Sequence, residues 1–313
     1  MTFGEAMLRF SLPIGVPLTR ATNLEVHVAG AEANVAVALS SLGRSVAWIS
    51  RLPDNDLGRM VARDLAASAV DISHISWEDA GRLGGTYFVE LGPRPKGVSV
   101  TYDRQGSAAA AMSTDDLPPQ EMAWARLIHL TGVTPALSRS CREATEAAAT
   151  VARDSESLLS VDINYRARLW SAKDARRGLE RIVAGTDLVV CTAEDARDVS
   201  ASKATPRTSA RVWRTGWAAP TPWSRWSGWR RLLANTDAMC VEATPTHIVD
   251  RLGAGDAFTA GVIDGLLDGD IGEGLRRGSV LAAMALATQG DQIGVTRREL
   301  TQLLDRGGRR LSR

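Results

Sequence analysis

The feature that most constrains this chain is a regular alternation of short apolar runs with longer stretches of helical periodicity. "SVAWIS", the run Leu127 to Thr131, "LLSVDIN" and "DLVVC" each read as buried strands. Between and after them, helices are expected over Ala31 to Leu42, Asp56 to Ala67, Ser138 to Ala152 and Lys173 to Ala184, with another after Thr192. In the first of these, Val35, Leu39 and Leu42 fall at helical spacing and Gly43 stands where a helix cap belongs. Strands that alternate with helices imply a mostly parallel sheet covered on both faces, hence an α/β fold. The C-terminal third returns to helix, over Gly255 to Leu267, Gly272 to Gln289 and Thr296 to Asp305. The opening "TFGEAMLRF" reads as one strand, short for a full first strand, so a few upstream residues are expected to be missing.

One stretch departs from the alternation. "GGTYFVELGPRPKGVSVTYDR" holds two period-two runs around a Gly/Pro turn and predicts a hairpin from Gly84 to Arg104. In an α/β protein such a hairpin often reaches over the active site, so lid segments are expected near residues 9–30 and 84–105 of one domain spanning 1–313. No internal repeat is visible.

Whole-chain properties exclude several functions. Hydrophobic residues make up 44% of the 313 and charged ones 23%, enough for one large core. A formal charge of +1 argues against general nucleic-acid or membrane-surface binding, which leaves a basic footprint. No apolar run approaches the ~18 residues of a membrane span, and the start lacks signal-peptide character, so the cytoplasm is expected. Cys141, Cys191 and Cys240 are too few and too scattered for a disulfide framework. His27, His74, His129 and His247 lack metal-ligand spacing.

Chemistry concentrates in "IVDRLGAGDAFTAGVIDGLL", from Ile248 to Leu267. Glycines at a helix entry leave the first backbone N–H groups uncovered, and with the helix dipole these attract an anion. An acid beside that place, Asp256, repels a phosphate unless it has a second task; as a plain residue it is a helix N-cap, and spacing alone leaves both readings open. There is no Gly-Lys pair for a P-loop, and Phe258 stands where a dinucleotide fingerprint needs its third glycine. Nucleophile-elbow and zinc-protease motifs are absent too.

Two separated motifs, "GAEANVAVALSSLG" and "DRLGAGDAFTAG", resemble in this order the two signatures of the ribokinase-like (PfkB) carbohydrate kinases. Within that superfamily "TFGEAMLRF", the hairpin, "VDINYRARLW" and the arginine of "VDRLGAGD" look most like 2-dehydro-3-deoxygluconokinases. The resemblance covers about residues 1–199 and 234–305. It implies a three-layer α/β/α sandwich with a small β lid, and transfer of the ATP γ-phosphoryl group to the 6-hydroxyl of 2-dehydro-3-deoxy-D-gluconate. Another sugar kinase of the superfamily, a fructokinase or ribokinase, is the nearest rival; a catalytically impaired sugar-acid binder is a different class.

By that resemblance Asp256 is the general base, and the amides of Gly253, Ala254 and Gly255 form the anion hole and nucleotide contact. Gly30 and Asn34 are implied at the sugar, Gly30 because a small residue lets sugar approach and Asn34 through its amide, although Asn34 also suits a local cap. Tyr102 and Arg104 at the hairpin end, and Arg166 after "DINY", are implied substrate contacts; two guanidinium forks suit a carboxylate. Tyr87 packs beside the sugar or belongs to the lid core. Glu194 of "CTAEDA" holds the acidic place of the N-x-x-E motif and is the indirect Mg²⁺ contact, but Cys191 replaces the Asn. The partners implied are a sugar acid and ATP with Mg²⁺, and an exposed lid edge offers pairing with a second copy.

The segment 200–233 does not fit. Between Asp198 and Asp237 no acidic residue occurs, and "WRTGWAAPTPWSRWSGW" packs five of the nine tryptophans into seventeen positions. The family carries a helix and a core strand here, and neither is readable. A local frameshift in a GC-rich gene is one explanation, supported by the presence of only Lys96, Lys173 and Lys203 as lysines. A genuine surface insertion and a basic aromatic RNA patch are the others. Translated as written, the segment is expected to be disordered or poorly packed from Ser200 to Leu233, weakening ATP binding.

Overall fold

The middle strands of the central sheet bury side chains on both faces, and that is why helices lie on either side of it. The computed structural model describes residues 1–79, 85–92, 97–199, 210–214, 229–234 and 237–309. Along the chain run β1 (Thr2–Phe3), β2 (Met7–Ser11), β3 (Glu25–Ala29), α1 (Ala31–Ser41), β4 (Trp48–Pro53), α2 (Asp56–Ala67) and β5 (Ile75–Glu78). Then follow β6 (Gly85–Leu91), β7 (Val98–Asp103), α3 (Pro119–Ala123), β8 (Leu127–Thr131), α4 (Arg139–Asp154), β9 (Leu158–Asp162) and α5 (Ala172–Val183). The chain continues through β10 (Leu188–Thr192), α6 (Ala193–Val199), β11 (Ala210–Arg214), β12 (Trp229–Ala234) and β13 (Asp237–Glu242). It closes with α7 (Ala254–Leu267), α8 (Ile271–Ala287) and α9 (Arg297–Arg309).

Among the described residues the large sheet has the order β13-β12-β11-β10-β9-β8-β1-β4-β5. Every pair from β11 to β5 is parallel, and β12 alone runs against the rest, antiparallel to both β11 and β13. Period-two geometry sorts the side chains: Trp48 and Leu52 of β4 join one core and Ile49 the other, while Leu188 and Val190 of β10 oppose Val189 and Cys191. The first core holds Val35, Leu39, Phe258, Ile263 and Leu281, from α1, α7 and α8. The second holds Ala144, Ala148, Leu179 and Ile182, from α4 and α5. This is the three-layer α/β arrangement that the alternation predicts.

Four strands make a second sheet in the order β3-β2-β6-β7, and these are the lid. Within it β2 is parallel to β6 and antiparallel to β3, and the β6–β7 hairpin pairs Tyr87 with Tyr102. The opening stretch is therefore two strands rather than one. β1 lies in the central sheet, and the chain crosses through Gly4, Glu5 and Ala6 to become β2 of the lid. A run this short, without a turn signal, cannot show where a strand changes sheets.

Of the anomalous segment, 200–209 and 215–228 lie outside the described residues, so the expectation of disorder there stands apart from the structure. β11 and β12 occupy places where no strand was readable; β11 pairs with β10 from Ala210 to Arg214, a main-chain ladder that needs no apolar pattern.

Candidate active site

Where β8 and β9 end, the amino ends of α1 and α7 meet beneath the lid and enclose a cavity. Most helices here begin on a side-chain cap: Asn55 for α2, Ser138 for α4, Ser171 for α5 and Asp270 for α8. The two glycine-led helices do not. Gly30 before α1 and Gly253 before α7 leave their first-turn amides without a side-chain cap. Both ends line the cavity. Uncapped N–H groups under a helix dipole form an anion cradle.

The two helices are tied by one hydrogen bond. Asn34 Nδ2 donates to Asp256 Oδ2 at 2.8 Å, and the Gly30 amide donates to Asn34 Oδ1 at 3.3 Å. Asn34 is thus both the local cap partner and the residue that orients Asp256. Asp256 stands in the first turn of α7 and on the cavity wall, while Gly253 holds the N-cap position.

The glycines are required by backbone contacts. Gly253 has φ 74°, and a Cβ there would lie 1.9 Å from the Asp291 carbonyl oxygen. At Gly30 a Cβ would lie 2.2 Å from the Glu5 carbonyl oxygen. At Gly30 the absent side chain makes room for the crossing from β1 to β2, and the glycine also lines the cavity.

Around this centre stand Tyr87, Tyr102, Arg104 and Arg166, all on the cavity wall. Tyr87 and Tyr102 stack with ring centroids 5.4 Å apart. Tyr87 is buried and its hydroxyl donates to Asp291 Oδ2 at 2.7 Å, so it belongs to the lid core as well as to the wall. Arg104 is paired with the buried Glu5, while its Nε is buried without a partner. Arg166 is exposed, and no ion pair engages it among the described residues. It is the wall's uncommitted cation.

Sequence reading missed five charged residues of this region. Glu5 and Asp291 line the cavity, and the buried Arg9 pairs with both Asp250 and Asp291. Glu32, on the first turn of α1, is 1% exposed. Its Oε1 accepts from Thr131 Oγ1 and Thr134 Oγ1, each at 2.7 Å, and its Oε2 has no partner. Burial pushes its carboxyl up to about 7; the threonine hydroxyls pull against this and the nearby Asp256 adds to it. A single acid in the alanine-rich first turn of α1 was the available signal.

Ala254 and Gly255 form the first turn of α7. Glu194 is exposed on the first turn of α6, outside the cavity wall, and Cys191 is buried. Among the described residues no group of three or more His, Cys, Asp or Glu side chains gathers to hold a metal. No helix among them is long and apolar enough to cross a membrane.

Most of the chain matches known proteins. The family pattern described as "pfkB family carbohydrate kinase" matches residues 1–214 and 229–298. A protein of Haloferax volcanii named 2-dehydro-3-deoxygalactonokinase is 35% identical over 98% of this chain and 96% of its own. The 2-dehydro-3-deoxygluconokinase of Bacillus subtilis is 28% identical over 96% and 93%. Among solved structures, a 2-dehydro-3-deoxygluconokinase of Thermotoga maritima superimposes with a TM-score of 0.87 at 27% identity, covering 97% of both chains.

Proposed function

Because this chain belongs to the PfkB family of carbohydrate kinases, we propose that it phosphorylates 2-dehydro-3-deoxy-D-gluconate at the 6-hydroxyl. ATP bound with Mg²⁺ supplies the phosphoryl group. The uncapped amino end of α7 fits such a polyanion, and its amides at Ala254 and Gly255 hold the negative charge that develops during transfer. Mg²⁺ needs few protein ligands when phosphates provide others. Glu194, just past the carboxyl end of β10, would hold a metal-bound water.

Asp256 accepts the proton of the attacking hydroxyl. A carboxylate with pKa of ~4 does not deprotonate an alcohol beforehand, but it takes the proton as the new bond forms. Asn34 orients this carboxylate, because its amide donates to Oδ2. The tyrosine pair supplies a flat apolar wall for the sugar chain.

The observation that carries the acid reading is Arg166, an uncommitted guanidinium on the same wall as Asp256. Arg104 adds its unpartnered Nε. A neutral sugar gives these cations nothing to pair with. A second reading has its own support: the 35% identical relative is named for the galactonate epimer, and inverting one hydroxyl changes few contacts in such a site.

The test is ADP release against 2-dehydro-3-deoxygluconate, its galactonate epimer, fructose and ribose, with Asp256→Asn measured in parallel. Turnover of the acids alone, lost in Asp256→Asn by about 10²–10⁴-fold with acid binding retained, is the expected result. Preference for a neutral sugar, binding without turnover in the wild type, or an active Asp256→Asn enzyme overturns it.

A further inference from the structure

Among the described residues Arg9 is the largest charged side chain sealed from solvent, at 0% exposure, and no step of the proposed reaction uses it. It sits on β2, in the lid. Its Nε donates to Ser11 Oγ at 2.8 Å, one terminal nitrogen pairs with Asp250, and the other pairs with Asp291. These two acids bracket the start of α7. Asp250 Oδ1 accepts from the Leu252 amide at 3.2 Å, fixing the turn that leads into Gly253. Asp291 presses its carbonyl against the Cα of Gly253 from behind. The outer ends are held as well, since Asp250 Oδ2 accepts from the Gly290 amide at 3.3 Å and Asp291 Oδ2 from the Tyr87 hydroxyl at 2.7 Å.

One planar fork therefore spans three parts of the chain: the lid strand, the turn before the α7 cradle and the segment behind it. Sealing such a charge in the interior is costly and does little for stability compared with apolar packing. A geometric role accounts for it better. We infer that Arg9 is a positioning residue for phosphoryl transfer: it locks the lid, which carries Tyr87, Tyr102 and Arg104, to the amino end of α7, so that sugar wall and anion cradle keep one fixed spacing. This inference rests on the proposed roles of α7 and the lid. Displacement of reacting groups by about 1 Å costs roughly 100-fold in rate, which is the scale of effect such a lock controls.

The test uses the full chain carrying Arg9→Lys. An ammonium is a single point and cannot reach both acids in fork geometry. Asp250→Asn, isosteric and uncharged, is the second variant if the first folds poorly. Two quantities are read: amide hydrogen exchange by region, and kcat and KM for the sugar acid per folded molecule. Exchange is expected to accelerate about tenfold in 85–91 and 250–258 together, and to stay unchanged in α4, because only the tied units open. kcat is expected to fall roughly 100-fold with the KM for the acid changed less than about threefold. Unchanged exchange, or a uniform rise that includes α4, overturns the inference in favour of a plain stability role. A regional rise with unchanged kcat overturns the positioning role. A wild-type enzyme inactive on every acid removes the functional reading instead, and the exchange pattern still decides whether Arg9 ties lid to cradle.

Discussion

At the scale of single residues, Glu32 makes the sharpest prediction, because its carboxyl is buried with only one oxygen satisfied. Its folded value of about 7 lies above the ordinary 4.5. Between those values the folded chain holds a proton that the unfolded chain has lost, so stability falls as pH rises through this window and levels off above it. At about 1.4 kcal/mol per pK unit the penalty is on the order of 3 kcal/mol. Glu32→Gln cannot ionise, and its Oε1 can still accept from Thr131 and Thr134. Thermal melts from pH 4.5 to 8 are expected to show a declining Tm in the wild type and a flatter profile in the variant. Parallel profiles in the two proteins would refute the assignment. Asp256 and Asn34 were legible because glycine-led signatures frame them. Glu32 and Arg9 were not, since their meaning lies in partners at Thr131 and Asp291, up to 282 positions away. Periodicity carries no information at that range.

Among elements, α7 is placed less by side chains than by its backbone. A Cβ on Gly261 would lie 2.3 Å from the Gly278 amide nitrogen, and one on Gly265 would lie 2.2 Å from the Gly274 Cα. α7 and α8 thus touch main chain to main chain, which fixes the height at which the amino end of α7 meets the cavity. Gly261→Val forces these helices apart. Such overpacking is expected to cost about 1–3 kcal/mol and to lower Tm by several degrees, with kcat reduced beyond the loss of folded protein. Melting curves and active-site-normalised rates check it, and an unchanged Tm would show that the helices part freely. Both helices were foreseeable from apolar periodicity, to within a residue or two at most ends. Their close approach was not, because the glycines at 261, 265, 274 and 278 read equally well as weak helix formers.

At the scale of the whole molecule, alternation revealed the layer order as far as β10 and then failed, since the tryptophan- and arginine-rich stretch lacks the apolar rhythm of a buried strand. The structure nevertheless extends the sheet through β11, β12 and β13. β11 and β12 are antiparallel neighbours, with Trp213 opposite Arg231 and Ala210 opposite Ala234. Strands so paired need only a turn of two to four residues to join them. The chain spends residues 215–228 on the connection, and the family pattern resumes only at 229. We propose that 215–228 is dispensable to the fold and to acid recognition, whether it arose by frameshift or by insertion. Shortening the connection from about fourteen residues to four lowers the entropy cost of joining its ends by ~1 kcal/mol, so stability should not suffer. Replacement of 215–228 by a four-residue turn containing Asn-Gly is expected to leave Tm equal or slightly higher and the Kd for the sugar acid within about threefold, because no described residue of the cavity wall lies between Arg166 and Leu252. Calorimetry and melting on the shortened chain decide the matter: a lower Tm or a lost acid site would mean that the tryptophans of this connection pack into the molecule and belong to it.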